Sequence, residues 1–469
     1  MLKPVPGARG AAKRLRARSF RVAECTKQIA DSVCREFQHA SLFYMAGGRF
    51  LITAPFENEW EPKLAALQAR IDHELFLKFG GEVAFHLAAA PYSDGKVPKD
   101  RLSEQHQKRR ARPQECALLS ENGWREDRFF AAAGEGWGKC PACLRTMARL
   151  KRVDDQDICE DCANDVDLGG WLSRWQPPQG QEPLLKREEL LHHFPRIDGR
   201  PADFQDLADQ SAGKHWLGHL RIDADHMGQS FRDLEGNPSR IWGLSRFLQT
   251  FFCNRVQELL QQRYPSIYPV YGGGDDLYVI GPWDRVLDLA VKLREEFREL
   301  TAPEGLTFSA GLALGKPHQH ILTKSDEAAD ALDSAKRAGR DRICALGTVS
   351  DWKEFRKTLC RAGDVLRWYR TGAIPDVMTC TQPTADRGTR LATAFLQNIL
   401  QLSRAGGNVK RGLWKPRLNY QIVRNVKKPD VYCQRWLSNL LDGGHEWRTA
   451  PAVVRYVLLA KEPDPKEPG

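Results

Sequence analysis

Two sets of residues in this 469-residue chain have the types and spacing to do chemistry. The first is Tyr271-Gly272-Gly273-Gly274-Asp275-Asp276, set between the apolar stretches Ile267 to Val270 and Leu277 to Ile280. Two strands joined by a glycine turn would put paired carboxylates at a hairpin tip, where a divalent cation can be held against phosphates. Glycine permits positive φ there and leaves room for backbone to approach a nucleotide. Taken alone, the run also fits an ordinary solvated Gly-Asp turn. The second set is Cys140-Pro141-Ala142-Cys143 and Cys159-Glu160-Asp161-Cys162, a C-x2-C pair separated from another by fifteen residues. Four thiolates at this spacing fit a closed, tetrahedral structural zinc with no open position for catalysis. Disulfides are the alternative, but the other eight cysteines are scattered and no secretory signal appears.

The elements around the hairpin give it a context. Leu217 to Asp225 reads as an apolar strand ending in Asp223 and Asp225, and the apolar spacing from Ser239 to Arg263 is helical. After the hairpin come a helix over Asp284 to Leu300, a strand over Leu306 to Leu314, a helix over Asp326 to Ala338 and a strand over Arg342 to Leu346. The order is βαββαβ plus one helix and one strand, the split βαβ or ferredoxin-like pattern. In such a sheet the first and third strands are central neighbours, which brings Asp223 beside Asp275 and Asp276. Two metal ions held by such a cluster activate a hydroxyl, orient an α-phosphate and stabilise departing pyrophosphate. Ala335-Lys336-Arg337-Ala338-Gly339-Arg340 supplies cations that can neutralise a triphosphate; a solvated basic helix end is the bland reading.

A second copy of the pattern lies near the N-terminus. Leu42 to Pro55 parallels Ile267 to Pro282, and each is followed by a tryptophan, an acidic residue, an amphipathic helix and an apolar strand, Val83 to Ala89 in the first copy. Arg49 and Phe50 stand where Asp275 and Asp276 stand, so the first copy lacks the carboxylates. Its Gly47 and Gly48 still offer a backbone surface suited to a nucleotide, unless this half is purely structural. Leu15 to Phe20 leads into a helix over Val22 to Phe37 with no convincing first strand before it. An orphan sheet edge would leave backbone groups unpaired.

The remaining segments say less. Lys108-Arg109-Arg110-Ala111-Arg112 fits a phosphate contact or a solvated face. Trp171 to Gly213 reads as a connection with a short helix near Glu188 to His193, and His192 and His193 read as surface histidines. From Thr348 the chain looks like a helical domain, with helices over Trp352 to Leu359, Leu391 to Leu402, Tyr432 to Leu441 and Pro451 to Leu459. Asp351 to Gly469 holds 21 basic and 11 acidic residues, an excess equal to the +10 of the whole chain, so basicity is concentrated here. Lys410-Arg411-Gly412-Leu413-Trp414-Lys415-Pro416-Arg417 is compatible with RNA contact, or Trp414 is core. Glu462 to Gly469 reads as a loose tail. No apolar run approaches a membrane span, and the expected location is cytoplasmic.

Together these motifs resemble one family, the large subunit of type III CRISPR effector complexes, particularly subtype A. The marks are Leu15 to Phe20, Gly47-Gly48, the four-cysteine module, Leu220 to Asp225, Gly273 to Asp276 and Ala335 to Arg340, and the resemblance covers nearly all of the chain. It implies an α+β multidomain fold: a degenerate ferredoxin-like palm (1–95) that lacks its first strand, linker helices with a zinc domain (96–213), a palm/cyclase domain with the Gly-Gly-Asp-Asp hairpin (214–347) and a basic helical domain (348–469). It also implies synthesis of cyclic oligoadenylates from ATP, switched on by target RNA. Asp223, Asp275 and Asp276 would hold catalytic Mg²⁺ or Mn²⁺. Gly47, Gly48, Gly273, Gly274, Lys336 and Arg340 would bind nucleotide, and Cys140, Cys143, Cys159 and Cys162 would hold Zn²⁺. The implied partners are guide RNA, target RNA, other effector subunits and single-stranded DNA, with no membrane. Many members begin with an HD nuclease domain; this sequence has no consecutive His-Asp pair, so no such activity is expected of it. The competing readings are an RNA-binding scaffold of weak catalytic power and a stand-alone dinucleotide cyclase.

Overall fold

The structure is a computed structural model that describes residues 10–46, 48–79, 83–92, 101–102, 104–105, 137–143, 148–153, 156–174, 191–234, 237–302, 305–369, 390–405, 414–427 and 429–461. Its first element is the long helix α1 (Ala11–Glu36), followed by strands β1 (Ser41–Ala46) and β2 (Arg49–Thr53) and helix α2 (Trp60–Phe79). Residues 15–20 therefore lie inside α1 rather than ahead of it. The helix is amphipathic along its whole length, and its two halves bury one apolar face against different partners. Ala11, Ala12 and Leu15 join the core of the cysteine module, whereas Cys25, Ile29 and Val33 pack on Leu64, Leu67 and Ile71 of α2.

The two hairpins share one register. In β1–β2 the pairs run Ala46↔Arg49, Met45↔Phe50, Tyr44↔Leu51, then skip Phe43 to Leu42↔Ile52. In β9 (Tyr268–Gly273) and β10 (Asp276–Pro282) they run Gly273↔Asp276, Gly272↔Leu277, Tyr271↔Tyr278, then skip Val270 to Pro269↔Val279. Turn length and bulge position agree, as a duplicated unit requires. This register corrects the alignment made from sequence by one residue: Gly48 occupies the place of Asp275, and Arg49 that of Asp276. The extra glycine of the second hairpin lies in the strand and had shifted the count. A further difference concerns residues 83–89, which form no strand; among the described residues the first unit's sheet has two strands. The segment still packs inward, with the Phe85 ring stacked on Phe50 at 5.3 Å and Leu87 buried.

Between the two units lie β3 (Trp137–Gly138), β4 (Ala148–Val153), β5 (Gln156–Cys159), helix α3 (Glu160–Arg174), the small hairpin β6 (Arg196–Ile197) and β7 (Arg200–Pro201), and helix α4 (Phe204–Ala208). α1 docks on α3 through Asp165, which is buried and ion-paired with Arg18 at 2.9 Å and Arg21 at 3.0 Å. Arg16 ties α1 to the following segment, donating to the carbonyls of Leu191 and His193. Residues 191–193 are not helical. His193 is partly buried: its Nε2 lies 3.0 Å from the Pro265 carbonyl oxygen, and desolvation pushes its pKa down to about 4.

The second unit comprises β8 (Leu217–Ala224), α5 (Met227–Asp233), α6 (Pro238–Gln249), a π-helical turn at Thr250–Arg255, α7 (Val256–Gln262), the β9–β10 hairpin, α8 (Trp283–Thr301), β11 (Phe308–Gly315), α9 (Ile321–Arg337), β12 (Arg342–Ala345) and β13 (Thr348–Asp351). Its sheet order is β13-β12-β11-β8-β10-β9. The last four are the ferredoxin-like order, with the first and third strands of the unit paired at the centre. One face buries Leu220, Ile222 and Val279 against Phe251, Phe252, Leu293 and Phe297 of the helices; the other packs Tyr268, Tyr278 and Ile280 toward the cysteine module. Fully burying side chains of this size contributes about 2–3 kcal/mol each. α9 crosses β11 so closely that a Cβ on Gly311 would sit 2.1 Å from the Leu332 nitrogen. Strand β13, which the sequence reading placed in the next domain, pairs antiparallel with β12 at the sheet edge.

Helices α10 (Trp352–Tyr369), α11 (Thr393–Ala405), α12 (Trp414–Asn425), α13 (Val431–Asp442) and α14 (His445–Ala460) complete the described chain, and their apolar faces continue the core of the second unit. Trp414 is core: it stacks on Trp447 with centroids 4.1 Å apart and is not free to stack on a base. The exposed aromatics here are Tyr420 and Tyr432. Lys108 to Arg112, Pro177 to Gly180, Glu188 to Leu190, Lys410 to Leu413 and Glu462 to Gly469 lie outside the described residues. No helix among the described residues is long and apolar enough to cross a membrane.

Candidate active site

The site grows from the end of β8. Antiparallel pairing sets Asp223 directly opposite Asp276 of β10, and the Ala224 amide donates to the Asp275 carbonyl at 2.8 Å. Two segments about fifty residues apart in sequence are thus fixed together by backbone ladder geometry. The turn that carries Asp275 requires Gly274, whose φ is +64°. Its amide donates to Oε1 of Gln249 at 3.0 Å, and Cys253 donates through its thiol to the Gly272 carbonyl at 3.0 Å. Gln249 and Cys253 flank the start of the π-helical turn, where a widened turn re-aims side chains that a regular helix would point elsewhere. Sequence reasoning missed both, since a π-turn leaves no mark in apolar spacing.

Asp225 does not face the hairpin carboxylates as a ligand. It is buried and accepts three hydrogen bonds, from Thr307 Oγ1 at 2.8 Å, Ser309 Oγ at 2.7 Å and the Asp341 amide at 2.9 Å. It therefore fastens the loop after α9 to the strand end that bears Asp223. That loop holds Arg340 and Asp341 at φ of +60° and +47°, a strained backbone for non-glycine residues. Asp341 is also bound by Arg294 at 2.8 Å. Arg340 is exposed, and Lys336, on the last turn of α9, donates to Asp223 at 2.5 Å.

The electrostatics follow from crowding. Burial, then the neighbouring Asp275 and Asp223, push the Asp276 carboxyl up to about 6. Burial raises Asp223 as well, opposed by the Lys336 ammonium. Arg221, two residues before Asp223 on the same face of β8, donates to Tyr271 Oη at 2.8 Å and supports the hairpin beneath the acids. Like charges forced together in a half-buried place favour a bound cation, and an all-oxygen donor set fits Mg²⁺ or Mn²⁺. Among the described residues, however, the only group whose ligand atoms all fall within 4.8 Å of one another is Cys140, Cys143, Cys159 and Cys162. The three carboxylates are wider apart, with Lys336 paired to one of them.

The cysteine cluster fits zinc closely. Its four side chains are buried, Zn–S bonds of about 2.3 Å would place tetrahedral sulfurs nearly 4 Å apart, and the Cys143 and Cys159 sulfurs are 3.6 Å apart. The Cys159 amide donates to the Cys140 sulfur at 3.2 Å, and Arg18 donates to that of Cys162 at 3.5 Å. Both contacts stabilise thiolate.

In the first unit, Gly48 closes the β1–β2 turn, and Gly47 lies outside the described residues. β1 packs against α6 of the second unit, so the degenerate hairpin borders the helix that leads to Gln249.

Comparison with known proteins agrees with this architecture. Residues 216–344 match the family model of the Cas10/Cmr2 second palm domain, and residues 7–126 match Csm1 subunit domain B. A relative from Thermococcus onnurineus, named as the single-strand-specific deoxyribonuclease Cas10/Csm1 of subtype III-A, is 24% identical over 409 residues, covering 72% of this chain and 52% of its own. A Mycobacterium tuberculosis relative of the same name is 33% identical over 156 residues, covering 29% and 19%. The chain thus spans about half the length of the longest-matched curated relatives. Among solved structures, a Csm1–Csm4 cassette in complex with cA4 superposes with a TM-score of 0.67 at 18% identity, over 96% of this chain and 67% of that one. Csm1 of T. onnurineus gives 0.66 at 18% identity, over 96% and 66%. With a palm-type sheet, a matching domain B and one fold throughout, the chain belongs to the Cas10/Csm1 family, the large subunits of type III-A CRISPR systems.

Proposed function

We propose that the chain is a metal-dependent nucleotidyltransferase that makes cyclic oligoadenylates from ATP when a guide-RNA complex captures target RNA. The observation that carries this reading is the register of Asp223 against Asp276, with Lys336 2.5 Å from Asp223. The similar cassettes solved with AMPPNP, ATP, cA3 and cA4 support it by the ligands they hold.

Asp223, Asp275 and Asp276 would hold Mg²⁺ or Mn²⁺, which when bound lowers the pKa of a ribose hydroxyl and offsets charge on the α-phosphate. The adenosine 3′-oxygen attacks the α-phosphorus, the bond to the bridging oxygen breaks, and pyrophosphate leaves. Repetition lengthens the chain, and an intramolecular attack closes it. Lys336 exchanges its carboxylate partner for triphosphate oxygens, joined by Arg340 from the loop that Asp225 anchors. Gly273 and Gly274 let the nucleotide approach the hairpin backbone, and Gly47 and Gly48 shape the opposing pocket. Cys140, Cys143, Cys159 and Cys162 hold structural zinc. We assign the work to four units, 1–95, 96–213, 214–347 and 348–469, within an assembly containing guide RNA, target RNA, a Csm4-type subunit and contacts to single-stranded DNA.

The test supplies ATP and Mn²⁺ to the reconstituted complex with matched, mismatched or no target RNA and resolves products by mass spectrometry. Cyclic adenylates only with matched target are expected. Product without RNA would favour a stand-alone cyclase, and no ATP consumption in the target-bound complex would leave a scaffold.

A further inference from the structure

The helix that leads into each hairpin meets the turn differently in the two units. In the second unit, the π-helical turn at Thr250–Arg255 packs backbone to backbone on β9: a Cβ on Gly272 would sit 2.8 Å from the Phe252 carbonyl oxygen. In the first, α1 is α-helical throughout, and Met45 fills the position of Gly272. The additional glycine of the second hairpin is therefore the one that lets the π-turn approach.

That approach delivers a continuous line of hydrogen bonds across the turn. The Gly274 amide donates to Gln249 Oε1 at 3.0 Å, Gln249 Nε2 donates to the Cys253 sulfur at 3.1 Å, and the Cys253 thiol donates to the Gly272 carbonyl at 3.0 Å. Cys253 is buried. The first unit supplies an internal comparison, because Val22 and Thr26 stand as far before Gly47 in sequence as Gln249 and Cys253 stand before Gly274. Val22 has no polar side-chain atom, and the Thr26 hydroxyl is spent on its own helix, on the Val22 carbonyl at 2.8 Å. A Cβ on Gly48 would lie 3.9 Å from a Val22 methyl, so Val22 stands at this turn as an apolar contact. The polar line accompanies the hairpin that carries the acids.

We propose that Gln249 and Cys253, presented by the π-turn, are positioning residues that hold the glycine turn so that Asp275 and Asp276 keep the placement a divalent cation needs; this rests on the nucleotidyltransferase reading. Two properties of the hairpin call for such a hold. Consecutive glycines give the turn little stiffness of its own, and Asp276 faces a like charge, Asp223, across the ladder. The base of the hairpin is fixed separately by the Arg221–Tyr271 bond at 2.8 Å, so loss of the line frees the turn and leaves the strands in place. A displacement of about 1 Å at the reacting centre is enough to cost ~10²-fold in turnover.

The test compares Gln249→Met, which keeps the length and removes both bonds, with Cys253→Ala and with Cys253→Ser, which keeps the donor. Hydrogen exchange on the full chain before Mn²⁺ is added, calorimetry of Mn²⁺ binding, thermal melting and steady-state kinetics of the target-bound complex are read for each. Gln249→Met and Cys253→Ala are expected to speed exchange at Gly272–Asp276 and not at Leu277–Ile280. They should weaken Mn²⁺ binding at least ~10-fold and lower kcat by ~10²-fold, with KM for ATP changed less than ~3-fold, the pattern of a contribution made in the transition state. Cys253→Ser should recover most of the loss. Parent-like Mn²⁺ affinity and kcat in Gln249→Met, whatever its melting temperature, would make the line structural only and overturn the proposal. So would unchanged exchange at the turn, or a Cys253→Ser variant as impaired as Cys253→Ala. If the parent complex makes no product, the nucleotidyltransferase reading falls, and the Mn²⁺ affinities and exchange rates of the same variants still decide for or against the hold.

Discussion

Asp223 and Asp276 are direct cross-strand partners on β8 and β10, two carboxylates placed opposite each other where opposite charges or apolar pairs are the stable choice. The fold holds them there because the flanking pairs Ile222↔Leu277 and Leu220↔Val279 are buried in the main core. Asp276→Asn should therefore separate stability from activity. Its ionised form is disfavoured by burial and by its neighbours, so a cost on the order of 2 kcal/mol is present above pH 6 and absent below about pH 4. The variant is expected to melt higher than the parent at pH 8 in the absence of metal, to match it at pH 4, and to lose at least ~10²-fold in product formation. Equal melting at both pH values would show that the carboxylates do not repel.

The same crowding links metal to protons. With the Asp276 carboxyl near 6, a bound divalent cation must displace a proton at pH 5.5 and need displace almost none at pH 8. Calorimetry of Mn²⁺ binding in two buffers of different ionisation enthalpy measures this directly. Release of a substantial fraction of a proton at pH 5.5 is expected, with apparent affinity falling as pH is lowered through 6.

Much of this site was legible in the sequence because its acids lie at the ends of strongly apolar strands, where register follows from burial. Asp223 and Asp276 could be paired from the βαββαβ order alone. Other features were not legible, for identifiable reasons. The alignment of the first hairpin slipped by one residue because Gly48 and Asp275 occupy equivalent turn positions with no chemical likeness. Strand β13 is four residues long and follows a tight turn at Leu346 and Gly347, both at positive φ, too short for periodicity to register. Val83 to Ala89 has strand-like composition, yet a strand exists only with a neighbour to bond, and here Gln68 supplies the bonds instead. The contact of the partly buried His193 with the Pro265 carbonyl was not legible either, because nothing local predicts it.

Gly311 offers a test of the sheet itself. Any β-carbon there would sit 2.1 Å from the Leu332 nitrogen and 2.3 Å from the Ala328 carbonyl oxygen, so α9 must lift off β11. Gly311→Val is expected to cost about 3 kcal/mol or more through overpacking, although valine favours strands. It should also displace Lys336 and so reduce ATP binding. Thermal melting and nucleotide titration check the two effects; a stable variant with unchanged ATP affinity would contradict the close crossing.

Removing zinc should unseat α1. Arg18 bonds both Asp165 and the Cys162 sulfur, so the four-cysteine cluster and the α1–α3 contact share one side chain. We expect one zinc per chain by elemental analysis, and its loss in Cys159→Ser. Hydrogen exchange should then accelerate at Ala11 to Phe20, while Cys25 to Val33, packed on α2, remain protected. Uniform exchange along α1 would show that the helix is held as one unit and that the cluster is independent of it.

Asp225 is a positioning residue, and its contribution should appear in the balance between binding and turnover. Asp225→Asn keeps the shape but gives one accepting oxygen where Thr307, Ser309 and the Asp341 amide need acceptors, leaving at least one buried donor unpaired at about 1–3 kcal/mol. The Asp341 amide bond and the Arg294–Asp341 pair together anchor the strained loop that carries Arg340, so loss of the first loosens the loop while Asp223, Asp275 and Asp276 keep their ladder positions. Steady-state kinetics of the target-bound complex should show KM for ATP rising by ~10-fold with a smaller fall in kcat, the pattern of a lost ground-state contact. Asp225→Ala should lower stability further without changing the order of the two effects. An effect confined to kcat would instead place Asp225 among the metal-holding carboxylates, against its burial and its three donors.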